Sequence, residues 1–139
     1  MSEPSAAVKV KRVVAGILVR GDEILCCQRS HNDPMSLKWE FPGGKIEPNE
    51  TAEAALAREL VEELNLAAEI GPLVETIRHS YTAGVIIELY FFRIDRWQGE
   101  PENRVFADIR WVPRIEMPKL DFLEADLGLV KEIAEGKRL

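Results

Sequence analysis

Long apolar runs are missing from this sequence: no stretch approaches the roughly 18 consecutive apolar residues that a membrane span requires. The start, Met1-Ser2-Glu3-Pro4-Ser5, also lacks a basic region leading into an apolar core, so nothing there reads as a secretory leader. Cysteine is confined to Cys26 and Cys27, which are adjacent. Neighbouring cysteines provide neither the spacing of a zinc site nor a sensible structural disulfide, which points to a reducing, cytoplasmic setting. Basic charge is in deficit, with 18 Lys and Arg against 24 Asp and Glu for a net charge of −6. That sign argues against a broad footprint on a nucleic acid polymer or an anionic membrane. A small anionic ligand remains admissible, because a bound cation and a few local Arg or Lys reverse the sign within one site. Internal repeats, low-complexity tracts and coiled-coil heptads are absent too, the last leaving both monomer and homodimer open.

What remains is an ordinary globular composition in a chain whose 139 residues suit one domain, taken here as residues 1–139. Val13 to Val19 and Ile24 to Arg29 are β-branched apolar runs separated by Gly21-Asp22, the pattern of a hairpin. A polar loop from Ser30 to Lys38 runs into the short strand Trp39-Glu40-Phe41 and the turn Pro42-Gly43-Gly44. Thr51 to Leu64 lacks Gly and Pro and sets Ala52, Leu56, Leu60 and Leu64 at four-residue spacing, which predicts an amphipathic helix. Asn65 suits its end, since Asn tolerates the left-handed conformation just past a helix. Leu73 to His79, Val85 to Ile94 and Ile109 to Val112 read as strands. Leu127 to Ala134 reads as a final helix with Leu127, Val130 and Ala134 on its inner side. Strands around a central helix, with a second helix at the end, predict an α/β layered fold on a mixed sheet.

Chemistry concentrates on the central helix. Glu59, Glu62 and Glu63 stand at i, i+3 and i+4, so their carboxylates project from one face, away from the leucines. Like charges at that spacing cost an isolated helix a few tenths of a kcal/mol. Arg58 offsets part of this by pairing with Glu62, and a hard divalent cation such as Mg²⁺, which prefers oxygen ligands, would offset more. Just upstream, Gly43-Gly44 lets the backbone approach a ligand closely.

The stretch from Gly44 to Leu66, GKIEPNETAEAALARELVEELNL, resembles the Nudix box, G-x5-E-x7-R-E-U-x-E-E-x-G-U with U aliphatic. Gly44, Glu50, Arg58, Glu59, Leu60, Glu62, Glu63 and Leu66 match, and the second glycine is replaced by Asn65. That glycine ends the helix, so its replacement leaves the chemistry intact. The order of elements is similar to the MutT-type subgroup over nearly the whole chain, which implies an α/β/α sandwich with a central mixed β-sheet.

The resemblance implies Mg²⁺, with Mn²⁺ as a substitute, held by Glu59, Glu62, Glu63 and the carbonyl of Gly43. It implies a catalytic group of Glu59, Glu62, Glu63 and Arg58, with Arg58 orienting a ligand carboxylate and Glu50 supporting it. Substrate contacts carried over are Arg29, Glu40, Phe41, Gly44, Lys45 and Asp126, with Glu40 placed for a ribose hydroxyl and Asp126 for the base. Helix capping is an equal reading of Asp126, and Trp39 and Phe41 suit a core as well as a stacking surface. Relatives often place a further glutamate six residues before the tryptophan equivalent to Trp111. That position is Val105 here, leaving Glu100, Glu102, Asp108 or a box glutamate as the base. His31 and His79 read as structural or solvent-facing, and Tyr81 and Phe91 as core residues able to flank a base.

The implied activity is pyrophosphohydrolysis of a nucleoside triphosphate to monophosphate and pyrophosphate, with 8-oxo-dGTP the leading substrate and CTP or a modified dCTP the alternative. Hydrolysis of ADP-ribose or another nucleoside diphosphate compound is a further reading, as is a non-catalytic nucleotide-binding domain.

Overall fold

The computed structural model describes residues 8–139, so the expectation for the first five residues lies outside the described part. Its organising element is β1 (Lys9–Arg20), whose neighbours differ along its length. Over Lys9 to Leu18 it pairs in parallel with β7 (Val85–Ile94), and β7 in turn pairs antiparallel with β6 (Leu73–Thr82). On its other edge β1 pairs antiparallel with β4 (Gly43–Lys45) and, at its end, with β2 (Glu23–Gln28). Strand β2 extends the sheet through β3 (Trp39–Glu40) and β9 (Asp108–Pro113). One parallel pair among antiparallel ones makes the sheet mixed, as the sequence predicts.

Period-two alternation divides the core. Val14 and Leu18 of β1 join Leu25, Cys27, Phe92 and Ile94 beneath α1 (Ala52–Leu64), which contributes Ala55, Leu56, Leu60 and Leu64. Ala15, Ile17 and Val19 join Ile24, Cys26, Trp39, Phe41 and Phe91 beneath α2 (Leu127–Ala134). The two cysteines thus enter opposite layers, both buried and free, because consecutive strand residues point to opposite faces.

Thr51 caps α1 by accepting from the Ala54 N–H, and Asn65 closes it in the left-handed conformation at φ 53°. Its N–H reaches the Leu60 and Val61 carbonyls, so asparagine performs the stop expected of it. Two expectations need correction. The inner face of α2 is Leu129, Val130 and Ile133, so of the expected trio only Val130 is buried, while Leu127 is half-exposed and Ala134 partly buried. Sequence periodicity also misses β5 (Ala67–Glu69) and β8 (Arg96–Gln98), a three-residue pair too short to show alternation. No helix among the described residues is long and apolar enough to cross a membrane.

Candidate active site

A cleft of about 880 Å³ opens along the sheet. Its floor is apolar, from Val13 and Ala15 of β1 and Ile87 and Leu89 of β7. One wall is the acidic face of α1, where Glu59, Glu62 and Glu63 meet the Gly43-Gly44 strand. The opposite end is made by Phe41, Tyr81, Leu123, Ala125 and Asp126, with Arg29 and Glu40 between. Of the expected site residues, Arg29, Glu40, Phe41, Gly43, Gly44, Glu59, Glu62, Glu63 and Asp126 all line this cleft. Lys45 lines a smaller adjoining cavity instead, and Arg58 stands behind the carboxylates.

Arg58 organises the acidic wall. Its Nε and Nη2 donate to the two oxygens of Glu50 at 2.8 and 2.9 Å, a bidentate pair that holds the Glu50 carboxyl down to about 2. Its Nη1 donates to Glu59 at 3.0 Å and lies 3.4 Å from Glu62, and Nη2 also donates to the Lys45 carbonyl. The sequence predicts Glu62 as its partner at i+4, whereas Glu50 binds it better. Glu50 arrives from the loop before the helix and can meet the guanidinium in its plane.

Glu63 faces the other way, accepting from the Gly43 N–H at 3.0 Å. Burial, and then the charges of Glu59 and Glu40, push its carboxyl up to about 8. Burial also raises Glu59, against the pull of Arg58. Gly44 leaves room for the Glu59 carboxylate: a Cβ at that position would lie 2.5 Å from its carboxyl carbon and displace it.

Among the described residues no group of three or more His, Cys, Asp or Glu side chains is already gathered as a metal cage. The donor set nevertheless fits a hard divalent cation. It is all oxygen, it lines one cleft, and Glu63, raised first by burial, is raised further by the charges of Glu59 and Glu40, which a cation would offset. Mg²⁺ usually takes one or two carboxylates and completes its shell with water and substrate phosphate, so a preformed cage is not needed.

At the far end, Asp126 is buried, 4% exposed, and its side chain makes no cap bond to α2. The capping reading is therefore wrong and the carboxyl belongs to the cleft. Burial, then the Glu40 charge, raises it to about 8. It sits in a single 3-10 turn, Glu124–Asp126, pinned where the Ala125 N–H donates to Tyr81 Oη at 2.8 Å. Arg29 donates to Glu40 at 2.9 Å and to the Pro34 carbonyl at 3.0 Å, so the two expected substrate contacts form one ion pair. Trp39 and Phe91 are buried in the core, and Phe41 serves both core and cleft. His31 is exposed, and His79 packs edge-on against Tyr81, 3.8 Å from Glu124.

Val105 lines the cleft and is half-exposed, but Glu100, Glu102 and Asp108 do not line it. Glu100 lies near Arg20, Glu102 accepts from Asn65, and Asp108 pairs with Arg110. Sequence reasoning missed the apolar floor and Lys11. Alternation along β1 carried the signal, since Lys11, Val13 and Ala15 share one strand face.

Comparison with known proteins places this architecture. The NUDIX domain model matches residues 10–132. The 8-oxo-dGTP diphosphatase of Escherichia coli (strain K12) is 33% identical over 133 residues, covering 95% of this chain and 100% of that protein. The CTP pyrophosphohydrolase of the same strain is 32% identical over 124 residues, covering 89% of this chain and 91% of that protein. A solution structure of the MutT protein of methicillin-resistant Staphylococcus aureus superposes with a TM-score of 0.75 at 36% identity, covering 93% of this chain and 98% of that one.

Proposed function

This chain belongs to the Nudix family as a MutT-like hydrolase, and on that premise we propose that it cuts a nucleoside triphosphate to the monophosphate and pyrophosphate, with 8-oxo-dGTP the leading substrate. The observation that carries this reading is the cleft's polarity: an acidic wall suited to metal-bound phosphates at one end, a buried carboxyl at the other, and an apolar floor between. Glu59, Glu62, Glu63 and the Gly43 carbonyl would hold Mg²⁺, with Mn²⁺ a substitute. When bound, the ion supplies charge neutralisation of the polyphosphate and a lowered pKa for the attacking water. Arg58 keeps Glu59 and Glu62 oriented, and Glu50 fixes Arg58. Glu100, Glu102 and Asp108 lie outside the cleft, which favours a helix carboxylate beside the phosphates as the general base.

Asp126 is protonated at neutral pH, so it offers one donor and one acceptor, as an asparagine amide does. That removes the reason for tying Asp to cytosine. Guanine and cytosine derivatives both present a carbonyl and an N–H edge, so CTP or a modified dCTP remains the second reading, favoured by the likeness to the CTP pyrophosphohydrolase.

Two outcomes test this reading. Turnover of a panel of canonical and oxidised triphosphates, ADP-ribose and diadenosine polyphosphates in Mg²⁺ should release monophosphate and pyrophosphate from one triphosphate and stop on adding EDTA. Release of products from ADP-ribose alone, or from nothing in the panel, defeats it. Second, KM for the preferred triphosphate should rise as pH passes about 8, where Asp126 loses its donor proton. Loss of one hydrogen bond beside a new buried charge is worth about tenfold. Asp126→Asn should flatten that rise between pH 7 and 9, and a wild-type KM constant across this range removes Asp126 from base recognition.

A further inference from the structure

Beside the cleft lies a second cavity of about 330 Å³, lined by Lys9, Lys11, Arg12 and Lys45 and by the loop from Ile46 to Glu50. Lys11 lines both cavities, so the two are continuous at that side chain. In a chain of net charge −6 this lining sets four cations against two carboxylates, Glu47 and Glu50. Strand geometry puts three of them on one face. Lys9 and Lys11 share the β1 face that continues into Val13 and Ala15, and Lys45 of β4 stands opposite Val13, on the same face and diagonal to Lys11.

None of these three lysines has a carboxylate within 4.0 Å among the described residues. The cleft's other basic residue, Arg29, is committed to Glu40, and Arg58 is committed to Glu50 and Glu59. Arg12, also at the cavity, is occupied by Glu88 and Tyr90. Glu47 and Glu50 also line the cavity but pair with Arg58 at 3.8 and 2.8 Å, which leaves the three lysines without an ion-pair partner, and an anion with several oxygens would supply one. The position is suitable, because β4 leads directly from Gly43-Gly44, where the phosphate anhydride would meet the acidic wall, to Lys45.

We propose that Lys9, Lys11 and Lys45 seat the terminal phosphates of the substrate, the portion that leaves as pyrophosphate, and that Lys11 is the positioning residue linking this seat to the nucleotide cleft. The inference rests on the pyrophosphohydrolase reading above. It makes chain length a matter of specificity: the nucleoside end is held by the cleft, the departing end by the lysines.

The test compares product inhibition in wild type, Lys11→Ala and Lys11→Arg, using pyrophosphate and the nucleoside monophosphate as separate inhibitors. Losing one charge-assisted contact should weaken pyrophosphate inhibition about tenfold in Lys11→Ala. Monophosphate inhibition should stay within about twofold, Lys11→Arg should restore most of the loss, and added salt should narrow the difference. Equal weakening of both inhibitors, or unchanged pyrophosphate inhibition, overturns the proposal. If the wild type turns over no triphosphate, the function reading fails separately. Calorimetric binding of pyrophosphate with Mg²⁺ then decides the seat: weaker binding to Lys11→Ala than to wild type supports it, and equal binding overturns it. Thermal melts of each variant exclude misfolding as the cause.

Discussion

Glu63→Gln should abolish metal-dependent turnover while making the metal-free protein more stable. The carboxamide still accepts from the Gly43 N–H, so the local geometry is kept, but the ligand charge is gone. Loss of a partner that merely supports a metal ligand costs about 10- to 100-fold, and loss of a ligand should exceed about 100-fold in kcat/KM. The stability effect follows from the raised carboxyl. Glu63 titrates near 8 in the folded protein against an ordinary value of 4.5, so the folded state binds its proton more tightly. Its contribution is fully present below about pH 4.5 and is lost as pH rises through about 8. A neutral glutamine has no such loss, so the melting temperature of Glu63→Gln should exceed that of wild type most clearly at pH 8 to 9 in EDTA. Saturating Mg²⁺ should narrow or reverse the gap, because the ion stabilises only the protein that binds it. A variant that keeps wild-type turnover in Mg²⁺ would remove Glu63 from the metal site.

The second large effect concerns the fold at the same point. A Cβ on Gly43 would lie 1.9 Å from the Val14 carbonyl oxygen and 2.8 Å from Ala15 Cα. Both are backbone atoms of the central strand, so no side-chain rotation relieves the clash and β4 must leave β1. Overpacking typically costs about 1–3 kcal/mol, and Gly43→Ala should reach the upper end. At this chain length that is roughly a 10 °C fall in Tm. Turnover should fall as well, since Glu63 depends on the Gly43 N–H. Gly128→Ala in α2 is the contrasting case. Outside its own helix backbone and chain neighbours nothing lies within 4 Å of its Cβ, and a helical alanine should hold or raise stability by about 0.5–1 kcal/mol. Chemical denaturation of both variants checks the pair, and a Gly43→Ala protein as stable as Gly128→Ala would show that the strand pairing tolerates what the geometry forbids.

Local signals in the sequence were sufficient for much of this molecule. The box helix and its cap, the left-handed stop at Asn65, the principal strands and the one-sided cluster of Glu59, Glu62 and Glu63 depend on side chains within a few turns of one another. Their periodicity and spacing are visible along the chain, and the resemblance of residues 44–66 to the Nudix box rests on the same positions. What only the tertiary structure decided involves residues far apart in sequence. The parallel pairing of β1 with β7 builds the cleft floor, and the crossing of β4 brings the Glu63 carboxyl onto the Gly43 N–H. Burial of Asp126 against Tyr81 and Glu40 turns an apparent cap into a protonated cleft group, and the lysines of two strands meet at one cavity. Periodicity reports which face a residue takes, but proton affinity and ligand reach depend on the charge and solvent brought near by long-range packing, and these are fixed only when the strands close.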